Sequence, residues 1–235
     1  MRIVFLGDSL TEANAGASYV DILKKRLSGY ELINCGKSGD TVVSLYHRLK
    51  TLSLEKPIDV AVLWVGVNDV LVNVSRQFRL LKILAHQPWS KDRQEFQKYY
   101  NDILRVLCDQ SKKVMTVPPL FIGENMRSEW HEELEALSKI IHYTSDKYTS
   151  VEYIDLRDVF RQRLSSRKTS DYIPRDAIRV FMDSRILKHP NQMEKKAKER
   201  GLYFTVDGVH LNTTGAEVVA DVLEERLVKR LSHIQ

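Results

Sequence analysis

Ser9 stands at the end of Gly7-Asp8-Ser9, directly after the apolar stretch Ile3-Val4-Phe5-Leu6, so a hydroxyl sits on a tight turn leaving a short buried strand. Such a serine becomes a nucleophile when a base within hydrogen-bond reach takes its proton. The far end of the chain offers that base. Asp207-Gly208-Val209-His210 sets a carboxylate and an imidazole three residues apart, the imidazole to accept and return the proton and the carboxylate to hold its tautomer and stabilise the imidazolium. Acyl transfer also needs donors aimed at the oxygen that turns negative. Gly39 can bring a backbone N–H close without a Cβ in the way, Asn68 carries an amide that does not titrate, and Ser9 adds its own N–H. Each has a plainer reading: Asp207 as a turn or helix-capping carboxylate, Gly39 as a turn residue, Asn68 as a loop cap. Asp8 is read as a local hydrogen-bonding group that holds the strand-to-helix turn. Ser38, Asp40 and Thr41 are read as supports of the second loop and the start of its helix. His47, His86, His131, His142, His189 and His233 lack a carboxylate at suitable spacing on such a loop and are read as surface or packing residues.

Five segments rich in β-branched and apolar residues read as strands: Arg2–Leu6, Glu31–Cys35, Asp59–Val65, Lys113–Val117 and Val151–Leu156. Between them run helical periodicities: Val20, Leu23, Leu27; Val42, Leu45, Leu49; Phe96, Tyr100, Ile103, Leu107; Trp130, Leu134, Leu137, Ile141. The last helix opens on Thr214-Gly215-Ala216-Glu217, a capping-box pattern, and continues through Val219, Leu223, Leu227 and Leu231. Strands alternating with helices require right-handed crossovers and a mostly parallel sheet covered on both faces, with active groups at the carboxyl ends of the strands. Ser9, Gly39 and Asn68 follow the first, second and third strands. Two stretches exceed a minimal five-strand unit, 70–92 and 158–201. Both are expected near the mouth of the site, the longer as a small helical cap ordered by Tyr172, Ile173, Pro174, Val180, Phe181, Met182, Ile186 and Leu187. Trp89, Phe181 and Met182 either line an acyl pocket or pack the cap.

The four blocks carrying Ser9, Gly39, Asn68 and His210 stand in the order of the SGNH, or GDSL, esterase and lipase family, which this chain resembles from Arg2 to Asn212. The resemblance implies an α/β protein of three α/β/α layers, a flavodoxin-like fold with a five-stranded parallel sheet and a helical insertion before the last helix, in one domain over 1–235. It implies a serine esterase cleaving carboxylic esters through an acyl-enzyme, with Ser9, Asp207 and His210 catalytic and Ser9, Gly39 and Asn68 as the oxyanion hole. No metal or organic cofactor is expected, and the substrate is a small-molecule ester: an acetylated sugar, a short acyl ester, a lysophospholipid or a thioester.

The composition agrees with an ordinary globular chain: 235 residues, 43% hydrophobic and 29% charged, with no apolar run near the roughly 18 residues that span a bilayer. Stable membrane insertion is therefore not expected. No apolar h-region with a cleavage site precedes the first strand. The cytoplasm is the expected location, with a removed signal as the alternative. Cys35 and Cys108 read as two reduced thiols, one in a strand and one in a helix. The net charge of +5 gathers between Arg157 and Arg200, where 13 Lys or Arg face 6 Asp or Glu. No nucleic-acid motif accompanies it, so solvated helices are read before a nucleic-acid surface. A non-catalytic binding module using this basic span is the rival from another class. Gly36-Lys37-Ser38 lacks the upstream glycine of a phosphate loop, having Glu31 there. Asp207 and His210 lack companions for zinc, and the Gly-x-Ser-x-Gly elbow is absent.

Overall fold

In the computed structural model, residues 1–54, 57–128, 130–174 and 189–231 are described. Five strands form one all-parallel sheet: β1 (Arg2–Gly7), β2 (Glu31–Gly36), β3 (Ile58–Trp64), β4 (Ser111–Val117) and β5 (Val151–Tyr153), in the order β2-β1-β3-β4-β5. The expected layers and strand number are found. β3 is buried along its whole length and β1 from Ile3 onward, as strands covered on both faces must be, whereas the edge strands β2 and β5 are only partly buried.

Among the described residues the helices are α1 (Ser9–Glu12), α2 (Tyr19–Arg26), α3 (Val42–Thr51), α4 (Val67–Val74), α5 (Arg76–Leu84), α6 (Arg93–Gln110), α7 (Trp130–Ser145), α8 (Leu156–Ser165), α9 (Pro190–Glu199) and α10 (Thr213–Leu231). α2 packs with α10, while α3 packs with α6 and α6 with α7, giving the two helical layers. The apolar stripes read from the sequence are the buried faces: Val20 and Leu23, Leu45 and Leu49, Phe96, Tyr100, Ile103 and Leu107, Leu134 and Ile141, and Leu223 and Leu227 all lie in one continuous core.

The order reverses at β1, with β2 on one side and β3 on the other. Crevices form at such a reversal because the chain leaves neighbouring strands towards opposite faces. Gly7 pairs in register with Gly36 and with Trp64. Three strands thus end level, and the loops carrying Ser9, Gly39 and Asn68 start from one line.

Two local readings need correction. The fifth strand stops at Tyr153, not Leu156, because Asp155 accepts the Asp158 N–H at 3.0 Å and starts α8. The last helix is capped by Asn212, whose Oδ1 accepts the Gly215 N–H at 2.9 Å, and not by a Thr214–Glu217 box. Glu217 instead pairs with Arg26 of α2, beside Asp221 and Glu224.

The span 158–201 divides. α8 belongs to the main core, with Phe160 edge-on to Phe121 at 5.4 Å and to Phe204 at 5.1 Å. α9 anchors a small separate cluster of Met193, Ala197, Leu202 and Val206, against which Tyr172 packs. Val180, Phe181, Met182, Ile186 and Leu187 lie outside the described residues. Among the described residues no helix is long and apolar enough to cross a membrane. Cys35 and Cys108 are free and half-buried.

Candidate active site

Asp8 caps the one-turn helix α1, its Oδ1 accepting the Leu10 N–H at 3.0 Å, and so turns the chain sharply off β1. Ser9 is the first residue after that cap. Its Oγ lies 3.0 Å from His210 Nε2, across 201 residues of chain. His210 Nδ1 is 2.7 Å from Asp207 Oδ2. An ionised carboxylate only accepts, so the ring proton sits on Nδ1, which donates to Asp207, and Nε2 is left to accept from the Ser9 hydroxyl.

The turn holding these two residues is built to fix the ring. Asp207 Oδ1 accepts the N–H of Val209 at 3.0 Å and of His210 at 2.8 Å, so one carboxylate grips both the backbone and the imidazole. Val206 donates to the His210 carbonyl at 2.8 Å, and Thr205 and Leu211 form an antiparallel bridge. Gly208 stands at φ +87°, a left-handed conformation, with the Gly123 N–H donating to its carbonyl at 2.8 Å.

A residue that sequence reasoning missed supports this turn. Glu124, fully buried on the loop after β4, accepts from the N–H groups of Tyr203, Phe204 and Thr205 and from the Thr205 hydroxyl, all at 2.7–2.8 Å. Its place at the carboxyl end of the fourth strand was the available signal.

Gly39 and Asn68 reach the same spot from β2 and β3. Gly39 stands at φ +81°, a left-handed conformation that calls for glycine, and a Cβ there would lie 3.0 Å from Lys82 Nζ. Its carbonyl accepts from Lys82 Nζ and from Gln87 Nε2. Thr41 caps α3, and its hydroxyl donates to the Pro88 carbonyl at 2.6 Å. The loop that carries Gly39 is thus tied to the 70–92 segment by Thr41, a support that the sequence suggests, and by Lys82 and Gln87, which it does not. Asn68, in the first turn of α4, spends one amide hydrogen on the Asp40 carbonyl at 3.0 Å, and among the described residues the other has no partner.

Ser9, Gly39, Asn68 and His210 line one cavity of about 500 Å³ together with Leu71, Phe78, Leu81, Lys82, Ala85 and Gln87, while Pro174 and Val209 close another part of its wall. Asp207 stands behind His210, buried. Trp89 is not part of this lining.

Burial shapes the electrostatics. Desolvation alone would push the His210 imidazole down, but the charge and hydrogen bond of Asp207, with help from Asp8, leave it above its ordinary value. Burial likewise opposes ionisation of Asp207, and His210 and the two backbone N–H groups overcome it, holding the carboxyl below its ordinary value. Asp8 is pushed up to about 7, first by burial and further by Asp40 and Asp69. Asp69 rises to about 6 by burial, although the Val42 N–H and Ser90 hydroxyl bind it. Lys82 falls to about 8 by burial, against the pull of Asp69, Asp40 and Asp8.

His131 is packed beside Arg157, and burial with that neighbouring charge drives it down to about 4. Among the described residues no three His, Cys, Asp or Glu side chains are grouped as a metal site requires. Three of the described basic residues in the 157–200 span, Arg157, Arg161 and Arg200, bond within the protein. Arg157 is buried and donates to the Leu120 carbonyl, Arg161 meets Glu135 and Asp158, and Arg200 donates to the Val206 carbonyl.

The model of the GDSL-like Lipase/Acylhydrolase family matches residues 5–218. The chain belongs to this family. Solved structures agree in fold: an acetyl xylan esterase, AlAXEase, is 26% identical with a TM-score of 0.65, covering 96% of this chain and 99% of its own. LAE5, an α/β hydrolase from the metagenome of Lake Arreo, Spain, is 20% identical with a TM-score of 0.64, covering 94% and 92%. A catalytic mutant of Axe2, an acetylxylan esterase from Geobacillus stearothermophilus, is 17% identical with a TM-score of 0.64, covering 94% and 91%. No curated protein matches. This GDSL-like chain is a carboxylic ester hydrolase, so the non-catalytic reading of the basic span is set aside.

Proposed function

We propose that the protein hydrolyses small carboxylic esters in two steps through an acyl-enzyme on Ser9. The observation that carries this reading is the continuous hydrogen-bonded path from Ser9 Oγ to His210 Nε2 (3.0 Å) and from His210 Nδ1 to Asp207 Oδ2 (2.7 Å), opening on a cavity beside Gly39 and Asn68. Ser9 Oγ attacks the carbonyl carbon as its proton passes to His210 Nε2. The oxygen that becomes negative takes the N–H groups of Ser9 and Gly39 and the unspent amide hydrogen of Asn68. Collapse expels the alcohol, which leaves with the proton held on Nε2. Water, activated by the same nitrogen, then releases the acid. Asp207 stays ionised throughout and stabilises the imidazolium that forms in each half.

The test is labelling with an active-serine phosphonate followed by peptide mass spectrometry. The adduct is expected on Ser9 alone, with ester turnover abolished in Ser9→Ala and unaffected by chelators. An adduct elsewhere, or none on a folded sample, refutes the assignment.

A further inference from the structure

The walls of the cavity are unequal. The reactive groups gather at one end, and most of the remainder is aliphatic or aromatic: Val67 and Leu71 of α4, Phe78 and Leu81 of α5, then Ala85. Of the other polar side chains that share the lining, three are already engaged and Asn14 is not among them. Ser38 bonds Glu12, while Lys82 and Gln87 bond the Gly39 carbonyl and each other. A sugar ring laid against Val67, Leu71, Phe78, Leu81 and Ala85 would set its hydroxyls against carbon and lose their hydrogen bonds to water. An alkyl chain would lose nothing and would bury its surface.

We propose that the α4–α5 wall is an acyl-chain site, and that the substrate is an ester of an unbranched aliphatic acid of roughly six to twelve carbons, a size drawn from what apolar cavities hold. This deepens the ester-hydrolase reading above and rests on it. A dry apolar cavity of about 150 Å³ accommodates the six carbons of benzene, so about 500 Å³ takes on the order of twenty heavy atoms at the same density. The ester group and part of the alcohol occupy the reactive end, and the chain fills the rest.

The chain belongs on the acyl side because of where the wall begins. Asn68 and Leu71 sit one helical turn apart on α4 and both face the cavity. The wall therefore starts at a donor for the carbonyl oxygen, whereas the alkoxy oxygen must lie by His210 Nε2, whose neighbour in the lining is Val209. Leu81 is 37% exposed, and Leu84, one turn further along α5, is 67% exposed. Chains that outgrow the cavity leave over apolar surface there.

Two series of esters test the assignment: p-nitrophenyl esters from acetate to laurate, which vary the acid, and acetates of ethanol, hexanol and octanol, which vary the alcohol. In the first, kcat/KM is expected to rise about threefold to fourfold per added methylene up to the hexanoate or octanoate, the gain for burying each methylene. The second series is expected to stay nearly flat. Leu71→Trp, which fills the wall, is expected to lower the octanoate-to-acetate ratio at least tenfold. Phe78→Ala, at a half-buried position and so less demanding of the fold, is expected to move the optimum to longer acids. If acetate is the best acyl donor, or if the gain appears in the alcohol series, while turnover still vanishes in Ser9→Ala, the acyl-site assignment is overturned and the ester chemistry stands. If the folded protein turns over no ester in either series, the underlying reading fails and this one with it.

Discussion

Replacing Asp8 by Asn separates the charge of this buried carboxyl from its turn-forming role. Asp8 is 1% exposed; its Oδ1 takes the Leu10 N–H, and among the described residues its Oδ2 has no partner. Burial raises its pKa from 3.8 to about 7, a difference worth about 4 kcal/mol. Between those two values the folded state binds more protons than the unfolded chain. Unfolding free energy attributable to Asp8 therefore falls as pH rises through the window and levels off above about 7. Asn at this position keeps the acceptor for Leu10 and has no charge to lose, but it puts an N–H₂ group where Oδ2 finds no partner, at a cost of about 1–3 kcal/mol at every pH. The stability of Asp8→Asn relative to the wild type is thus expected to rise by about 3 kcal/mol between about pH 4.5 and about pH 8. The variant should be about 1 kcal/mol less stable at the acid end and about 2 kcal/mol more stable at the alkaline end. Urea unfolding followed by circular dichroism at both pH values measures this directly. A mutant–wild-type difference that is the same at both would show that Asp8 ionises normally in the folded protein, and the argument from burial would be wrong. The sign at the active centre is opposite in use: Asp8 helps raise the His210 pKa, so the acid limb of kcat/KM should move to lower pH in the variant.

Two further outcomes follow from the supports of the site. Glu124→Gln turns one of two accepting oxygens into a donor facing backbone N–H groups; a loss of about 2 kcal/mol is expected, a fall of about 4–8 °C in Tm for a chain of this size, read by calorimetry, with kcat/KM falling as the His210 turn loosens. Lys82→Met removes a donor to the Gly39 carbonyl; kcat is expected to fall at least about tenfold, towards the loss seen when an oxyanion donor is displaced, with KM little changed and Lys82→Arg restoring part of the rate, and an unchanged kcat would refute the role.

Reading the sequence picked out Ser9, Asp207 and His210, which the structure brings into hydrogen-bond contact, from patterns that are written locally. A hydroxyl after a buried strand, an imidazole three residues beyond a carboxylate, and periodic apolar stripes are patterns of residue type and spacing. The strands and five main helices followed because burial imposes those periods on any chain that forms this sheet. Local patterns misled where a distant partner competed. Glu217 looked like half of a capping box, yet Arg26, 191 residues away, takes it, and Asn212 does the capping.

What lay beyond such reading is the support and the shape of the site. Glu124 reaches a turn some 80 residues later, and Lys82 and Gln87 reach back more than 40 residues to Gly39. Nothing in their neighbours distinguishes them from other polar residues of a loop or helix. The apolar wall is of the same kind, since Leu71, Phe78 and Leu81 read as ordinary packing residues until the helices are placed. The order of residues determined which groups are able to react and which faces must be buried, because both depend on side-chain chemistry and short-range period. The tertiary structure alone decided which of them meet, at what distance and in what dielectric, because those depend on chain segments brought together only when the sheet closes its core.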